Sequence, residues 1–467
     1  MNKIICILAV VVAIGIPAFG QSHGMLHDST IKQLKTGVEG FKNRYHSPSI
    51  VVAIVHDKQI IFSESLGYID VENKIPATID SKYPLLSVTK TFTATMLMQL
   101  MERKTVSFFD DVKKYVPEYK GSSNSSDKSP TTLFQLATHT SGLPRNSPAD
   151  IGFTKQIDKW MFGVQNYAAI EPANKKEVLQ SLAFIQKEYP VYELLTYGDR
   201  HYSNLGYSLL GIALERAAKK DYRDYILQNI CKPLQMKSTG FDTENLESKG
   251  VAKGYYYSDS AKDVIKTPVF KSNAAIYAGG MYSTATDLAK YISFQFDNSA
   301  EAARILSKEN RSMMHSLKIG WKPLYPLVLH EGAMLGYRSQ VAFIPELKIG
   351  WVILTNTTDF EFSKFNEYIG RLIMPYYETK PIADLNKYSG TYRLSGGYDS
   401  LRIYVKNGNL YSSYLQDQLP EAPLITTGKN KFKAQGKGNY NIGYEFIAGE
   451  NSEIKVLNMG QLMWIKQ

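Results

Sequence analysis

Tyr83-Pro84-Leu85-Leu86-Ser87-Val88-Thr89-Lys90-Thr91-Phe92-Thr93-Ala94-Thr95-Met96-Leu97 carries a short strand-like lead into a helix, and the rest of the chain can be read around it. Spacing puts Phe92, Met96, Leu97, Leu100 and Met101 on one apolar face of that helix. Ser87 and Lys90 stand three apart, so the lysine can reach the hydroxyl. The free N–H groups at a helix start favour negative charge developing on a bound carbonyl. A serine nucleophile needs a base, and a lysine serves once burial and positive neighbours lower its pKa from the usual ~10.4. The same spacing recurs at Ser29–Lys32, Ser125–Lys128 and Ser452–Lys455, but only Ser87–Lys90 opens a long apolar helix. By themselves the four letters fit a serine N-cap beside a solvated lysine, so the pair needs partners elsewhere.

Two such partners follow. Tyr202-Ser203-Asn204 precedes an apolar helical run at 205–214; a tyrosine can shuttle a proton, and an asparagine can orient a lysine or grip an amide. Read alone it is a turn. His330-Glu331-Gly332 stands just before a strand that opens at Tyr337-Arg338-Ser339, and its glycine allows close backbone approach to a ligand. A lone histidine there is more often structural. A competing pattern, Gly20-Gln21-Ser22-His23-Gly24, matches a nucleophile elbow but lacks the strand and helix that such an elbow needs.

Residues 49–55 and 59–68 read as a hairpin, preceded by a helix over 26–45. Residues 131–240 read as mostly helical. Strands return at 339–344 and 350–355, followed by an amphipathic helix over 360–377. The order implies an α/β (α+β) fold: an antiparallel sheet built from both parts of the chain, flanked by terminal helices, with a helical subdomain inserted. From about residue 380 the texture changes to short strand-like runs at 388–394, 401–405, 410–414, 431–434, 444–447 and 454–457, with an Asn407-Gly408 hairpin turn. These predict a separate small all-β barrel or sandwich over 379–467, beside a main domain over 21–378.

Composition narrows the remaining choices. With 467 residues, 44% hydrophobic and 21% charged, the chain is globular and large enough for two domains. Its only cysteines are Cys6 and Cys231, which excludes a disulfide framework and a cysteine zinc site. Residues 1–20 read as a signal peptide: a positive start at Lys3, an apolar run over 4–14 and a small-x-small site at Ala18-Phe19-Gly20. That reading predicts a periplasmic or secreted protein with no membrane span after cleavage. The net charge of +10 is spread without a basic run, which argues for a solvated surface and against a nucleic-acid partner.

Taken in order, Ser87-x-x-Lys90, Tyr202-x-Asn204 and His330-x-Gly332 resemble the β-lactamase-related serine hydrolases, the penicillin-recognising group of class C β-lactamases, DD-peptidases, esterases and D-aminopeptidases. Leu136-Ala-Thr-His-Thr-Ser-Gly-Leu-Pro144, Ala278-Gly-Gly-Met-Tyr-Ser-Thr-Ala-Thr-Asp-Leu288 and the run from His330 to Asn356 resemble further blocks of that family. The terminal β segment is similar to the lipocalin-like appendages of some members.

The resemblance implies Ser87 as acylated nucleophile, with Lys90 and Tyr202 sharing its proton. It implies Asn204 on the substrate amide or on Lys90, and backbone N–H groups of Ser87 and Ala333 as oxyanion hole beside Gly332. His330 stands where many β-lactamases carry the lysine of Lys-Thr-Gly. A mostly neutral histidine offers a substrate carboxylate less than a fixed ammonium, so β-lactam hydrolysis is expected to be weak or absent. No cofactor or metal is implied. The expected substrate is a small peptide amide, of D-amino-acid or cell-wall type, or an ester. A non-catalytic relative binding cell-wall or host ligands is the alternative, and the intact Ser87, Lys90 and Tyr202 weigh against it. His139-Thr-Ser-Gly142 reads as a structural turn, Asp287 as a helix-start residue, and Tyr255-Tyr256-Tyr257 as either a cleft lining or loop packing.

Overall fold

The computed structural model describes residues 26–121, 130–185, 201–241, 250–324, 326–377, 384–394, 400–406, 409–414, 421–428, 430–434, 443–448, 454–459 and 462–467. The leader reading, the Gly20–Gly24 pattern, the Ser125–Lys128 pair and the Asn407-Gly408 turn lie outside the described residues.

Helix α1 (Asp28–Arg44) leads into strands β1 (Ser49–His56) and β2 (Gln59–Asp70), the hairpin expected from the alternation of the sequence. The chain returns to this sheet only after the inserted helical region, at residue 322. A seven-stranded sheet runs β4-β5-β6-β7-β1-β2-β3, where β3 is Ile75–Pro76, β4 Lys322–Leu324, β5 Leu327–Met334, β6 Tyr337–Ile344 and β7 Ile349–Thr355. β1 pairs antiparallel with β7, Ile50 opposite Thr355 through His56 opposite Ile349, which joins the first and last strands of the main domain's sequence near the sheet centre.

Period-two alternation gives the sheet two buried faces. Ile50, Val52 and Ile54 of β1 pack with Leu34 and Val38 of α1 and with Phe365 and Ile369 of helix α6 (Phe362–Tyr377). Gly37 lets α1 approach α6 closely: a Cβ there would lie 2.1 Å from the Tyr368 ring. Val51, Ala53 and Val55 face the opposite way, into a larger core with helix α5 (Ala285–Phe296) and the inserted helical region, where helix α3 (Lys175–Ser181) contributes Val178.

Helix α2 (Thr89–Glu102) runs through the middle of that second core. Residues 89–100 are all buried, so the expected single apolar face understates its burial. The polar side is enclosed because its hydroxyls are satisfied locally: Thr93 Oγ1 donates to Tyr277 O at 2.7 Å and Thr95 Oγ1 to Thr91 O at 2.9 Å. A threonine-rich face reads as solvent-facing in sequence, yet the Thr91, Thr93 and Thr95 hydroxyls each find a carbonyl and Thr89 Oγ1 accepts from Met281 N.

The terminal segment forms an eight-stranded closed barrel, Gly390–Leu394 pairing with both Ser400–Lys406 and Leu462–Lys466. Six of its strands follow the runs seen in sequence; Ala422–Gly428 and Leu462–Lys466 are additional. Its interior is filled by Tyr388, Tyr392, Phe432, Tyr444, Phe446 and Trp464, a cluster distinct from both faces of the main sheet. Lys431 links it to the turn after β6 through an ion pair with Glu346, and also lies 3.2 Å from Glu445. Among the described residues no helix is long and apolar enough to cross a membrane.

Candidate active site

Ser87 sits in a 3-10 turn, Leu86–Val88, that feeds directly into α2. Leu86 adopts φ +51°, a left-handed conformation that costs a non-glycine residue free energy and persists only where its surroundings enforce it. Here they do. Leu85 N donates to Met281 O at 2.7 Å, and Leu85 O accepts from Ser339 Oγ at 2.6 Å. The turn is thus held from both sides, and the side chain of residue 87 opens onto the cleft.

Lys90 lies one turn along and is fully buried. Its Nζ donates to Ser87 Oγ at 3.0 Å, Asn204 Oδ1 at 2.9 Å and Ala278 O at 2.8 Å. Desolvation, and next the Arg145 guanidinium, hold its pKa well below the ordinary lysine range. A neutral amine keeps two N–H bonds. With Asn204 Oδ1 and Ala278 O as fixed acceptors, its lone pair is left for the Ser87 hydroxyl.

Tyr202 and Asn204 arrive on the start of helix α4 (Asn204–Ala218), capped by Ser203, whose Oγ accepts from Gly206 N at 2.8 Å. The loop over 139–146 fixes this start. His139 Nδ1 accepts from Ser203 N at 3.1 Å, Pro144 O accepts from Ser203 Oγ at 2.6 Å, and Arg145 O accepts from Asn204 N at 2.7 Å. Asn204 Nδ2 also donates to Asn146 Oδ1 at 2.9 Å. His139 is therefore structural, as its turn pattern suggested. Desolvation, with Lys90 next, holds its imidazole well below the usual histidine pKa, which keeps Nδ1 free to accept. The Tyr202 ring centroid stands 4.8 Å from Lys90 Nζ, 5.2 Å from Arg145 Cζ and 4.2 Å from the His139 ring.

The third element differs from the sequence reading in one respect: His330-Glu331-Gly332 is itself strand, within β5. β4 pairs only with Leu327–Leu329, while β6 pairs with Val328–Met334, so the outer edge beyond Leu329 borders the Ser87 turn. Gly332 makes that approach possible. A Cβ there would lie 2.3 Å from Leu85 O and 2.3 Å from Ser339 Oγ. His330 is buried, its ring centroid 6.4 Å from that of Tyr202 and its Nδ1 2.9 Å from Glu331 O. Glu331 is exposed and accepts from Gln340 Nε2 at 3.0 Å, so its charge is turned to the neighbouring strand. Ala333 lines the cavity that also contains Ser87 and Asn204.

Three partners carried no individual role in the sequence reading. Ala278 supplies a carbonyl to Lys90, and a backbone acceptor has no residue-type signature, although Ala278-Gly-Gly is a recognisable block. Arg145 and Asn146 follow the 136–144 block directly, and only their neighbourhood in sequence could have marked them. The Tyr255–Tyr257 run is a strand in which Tyr255 donates to Glu72 Oε2 at 2.7 Å and Tyr257 stacks on His46 at 3.7 Å, while Tyr256 packs with Phe153, Phe270 and Met334, which line the cavity. Asp287 accepts from Ser238 N at 2.7 Å, while Thr284 caps its helix.

A sheet built from the first and last parts of the main domain, an inserted helical region and a buried amine on a helix-start serine describe a penicillin-binding-type fold. The chain belongs to the beta-lactamase family, whose model matches residues 28–372. It is 29% identical over 348 residues to Beta-lactamase-like protein 2 of Dictyostelium discoideum, covering 71% of this chain and 60% of that one. Protein flp of Staphylococcus aureus strain MW2 is 25% identical over 380 residues, covering 79% and 72%. The chain thus spans 60% of the length of the Dictyostelium relative. Two solved structures share the fold. The octameric penicillin-binding protein homologue from Pyrococcus abyssi aligns with a TM-score of 0.61 at 24% identity, over 93% of this chain and all of the other. A Beta-Lactamase/D-Alanine Carboxypeptidase from Pseudomonas syringae aligns at 0.59 and 18% identity, over 76% of this chain and all of the other.

Proposed function

We propose that the protein is an exported acyl-serine hydrolase in which Ser87 attacks a peptide amide or ester carbonyl. The observation that carries this reading is the buried Lys90 amine bonded at once to Ser87 Oγ, Asn204 Oδ1 and Ala278 O. In the acylation step Lys90, with Tyr202 beside it, takes the proton from Ser87 as Oγ bonds to the carbonyl carbon. The oxyanion is received by backbone N–H groups of Ser87 and Ala333. Collapse expels the amine or alcohol, which takes the proton back, and leaves an ester on Ser87. Water then repeats the sequence and frees the acid.

A D-amino-acid or cell-wall peptide is preferred over a simple ester. Support comes from the name of the Pseudomonas neighbour, a Beta-Lactamase/D-Alanine Carboxypeptidase. A fluorophosphonate probe is expected to label the protein and to lose labelling in Ser87→Ala; equal labelling of both would reject Ser87 as nucleophile. Turnover of 4-nitrophenyl esters with no release from D-aminoacyl peptides would reverse the preference between amide and ester.

A further inference from the structure

The helix Ile151–Met161 starts beside the cleft and ends in solvent. Phe153, Ile157 and Trp160 turn inward onto a cluster with Ile170, Phe270 and Tyr337, and Phe153 also lines the cavity that holds Ser87. The far end carries Met161-Phe162-Gly163-Val164, where Phe162 is 81% and Val164 71% exposed. Backbone bonds fix this end: Phe162 N donates to Asp158 O at 2.9 Å, Gly163 N to Trp160 O at 3.0 Å and Val164 N to Lys159 O at 2.8 Å, with Gly163 at φ +66°. In such a cap the residue after the glycine commonly packs on an apolar side chain five residues before it. Here that position is Lys159, so Val164 is held out in water beside Phe162. The apolar surface continues sideways. Trp160 meets Tyr256 edge-on at 6.4 Å, and Ile265, opposite Tyr256 in its hairpin, is 42% exposed. Lys155 and Lys159 stand one turn apart on the side of the helix that leads down to Phe162. Both are exposed, and among the described residues no carboxylate pairs with either. The helix carries one acid against them, Asp158.

We infer that this helix end is a docking site for an anionic lipid surface. Phe162 and Val164 enter the acyl boundary, with Met161, Trp160 and Ile265 around them. The Lys159 and Lys155 stems, about 5 and 10 Å further up the helix axis, lift their ammonium groups to the headgroup phosphates. Lipid fits the site better than a second protein does. A stable protein interface buries about 800 Å² on each partner, more than these few side chains offer, whereas lipid needs no complementary surface. Docked in this way the protein keeps its cleft near the surface, since Phe153 lies about 14 Å along the helix from Phe162. None of this depends on Ser87 being the nucleophile.

The test is quenching of tryptophan fluorescence in the full-length protein by vesicles of brominated phosphatidylglycerol and phosphatidylcholine. Of the four tryptophans, Trp321, Trp351 and Trp464 are at most 3% exposed, so bromine reaches Trp160 when the helix end is in lipid. The native protein is expected to be quenched, and at lower lipid concentration by the anionic mixture than by phosphatidylcholine alone. Phe162→Ser with Val164→Ser removes two solvent-exposed side chains, so the thermal midpoint should hold while the lipid needed for half-quenching rises about 100-fold. Lys155→Gln with Lys159→Gln should raise it about 10-fold for the anionic mixture and leave phosphatidylcholine unchanged. A native protein that brominated vesicles do not quench, or quenching equal in the native protein and both double variants, overturns the docking site. Self-association that disappears in Phe162→Ser with Val164→Ser, without quenching by vesicles, also overturns it and assigns the surface to a second copy of the chain.

Discussion

Lys90 is the residue on which the chemistry turns, because it must be a base in a place where lysines are usually acids. Burial disfavours its charge and Arg145 adds repulsion, both lowering its pKa. Activity should rise with pH as Lys90 loses its proton, giving an acid limb well below the range of an ordinary lysine. Removing the guanidinium in Arg145→Gln withdraws a positive neighbour, favours the protonated amine and moves the limb to higher pH. The pH profile of kcat/KM reads the shift; a limb that stays in place while only its height changes would assign Arg145 to packing on Tyr202.

Among the elements, β5 and the Ser87 turn depend on each other. Gly332→Ala sets a methyl against Leu85 O and Ser339 Oγ, both held by the bond between them, so the strand has to retreat. Overpacking of this kind costs about 1–3 kcal/mol, and retreat carries the N–H of Ala333 away from the reacting carbonyl. The expected outcome is a lower thermal midpoint together with a fall in kcat of about 100-fold, the loss typical of one oxyanion donor. Full activity with the midpoint lowered would separate the strand from catalysis. This contact also marks where sequence reading stopped. Helix α1, the β1–β2 hairpin and strands β6 and β7 were legible because alternation and amphipathicity are local properties. Strand β5 was not, since His330-Glu-Gly breaks the apolar pattern where the strand borders the cleft. The Ser87, Lys90, Tyr202, Asn204, His330 and Gly332 set was legible as three spaced motifs. Ala278 O, the Arg145 charge and the left-handed Leu86 were not, because each acts through the backbone or through space.

For the molecule as a whole, the main sheet and the terminal barrel each bury a hydrophobic cluster of their own. Trp464→Ala empties the barrel core, where the side chain is 1% exposed, at a cost of about 3–5 kcal/mol. Calorimetry should show one transition lowered and another retained, with hydrolysis unchanged; a single transition lowered together with activity would mean the barrel and the sheet unfold as one. The claim beneath all of these is that Ser87 becomes covalently acylated. Intact-mass measurement of the chain after brief exposure to penicillin, a D-aminoacyl peptide or an activated ester addresses it. An adduct of the acyl mass is expected from at least one of the three, mapped to the peptide carrying Ser87 and missing in Lys90→Ala. Turnover of any of them with the mass unchanged at every quench time, or an adduct on another residue, would contradict it.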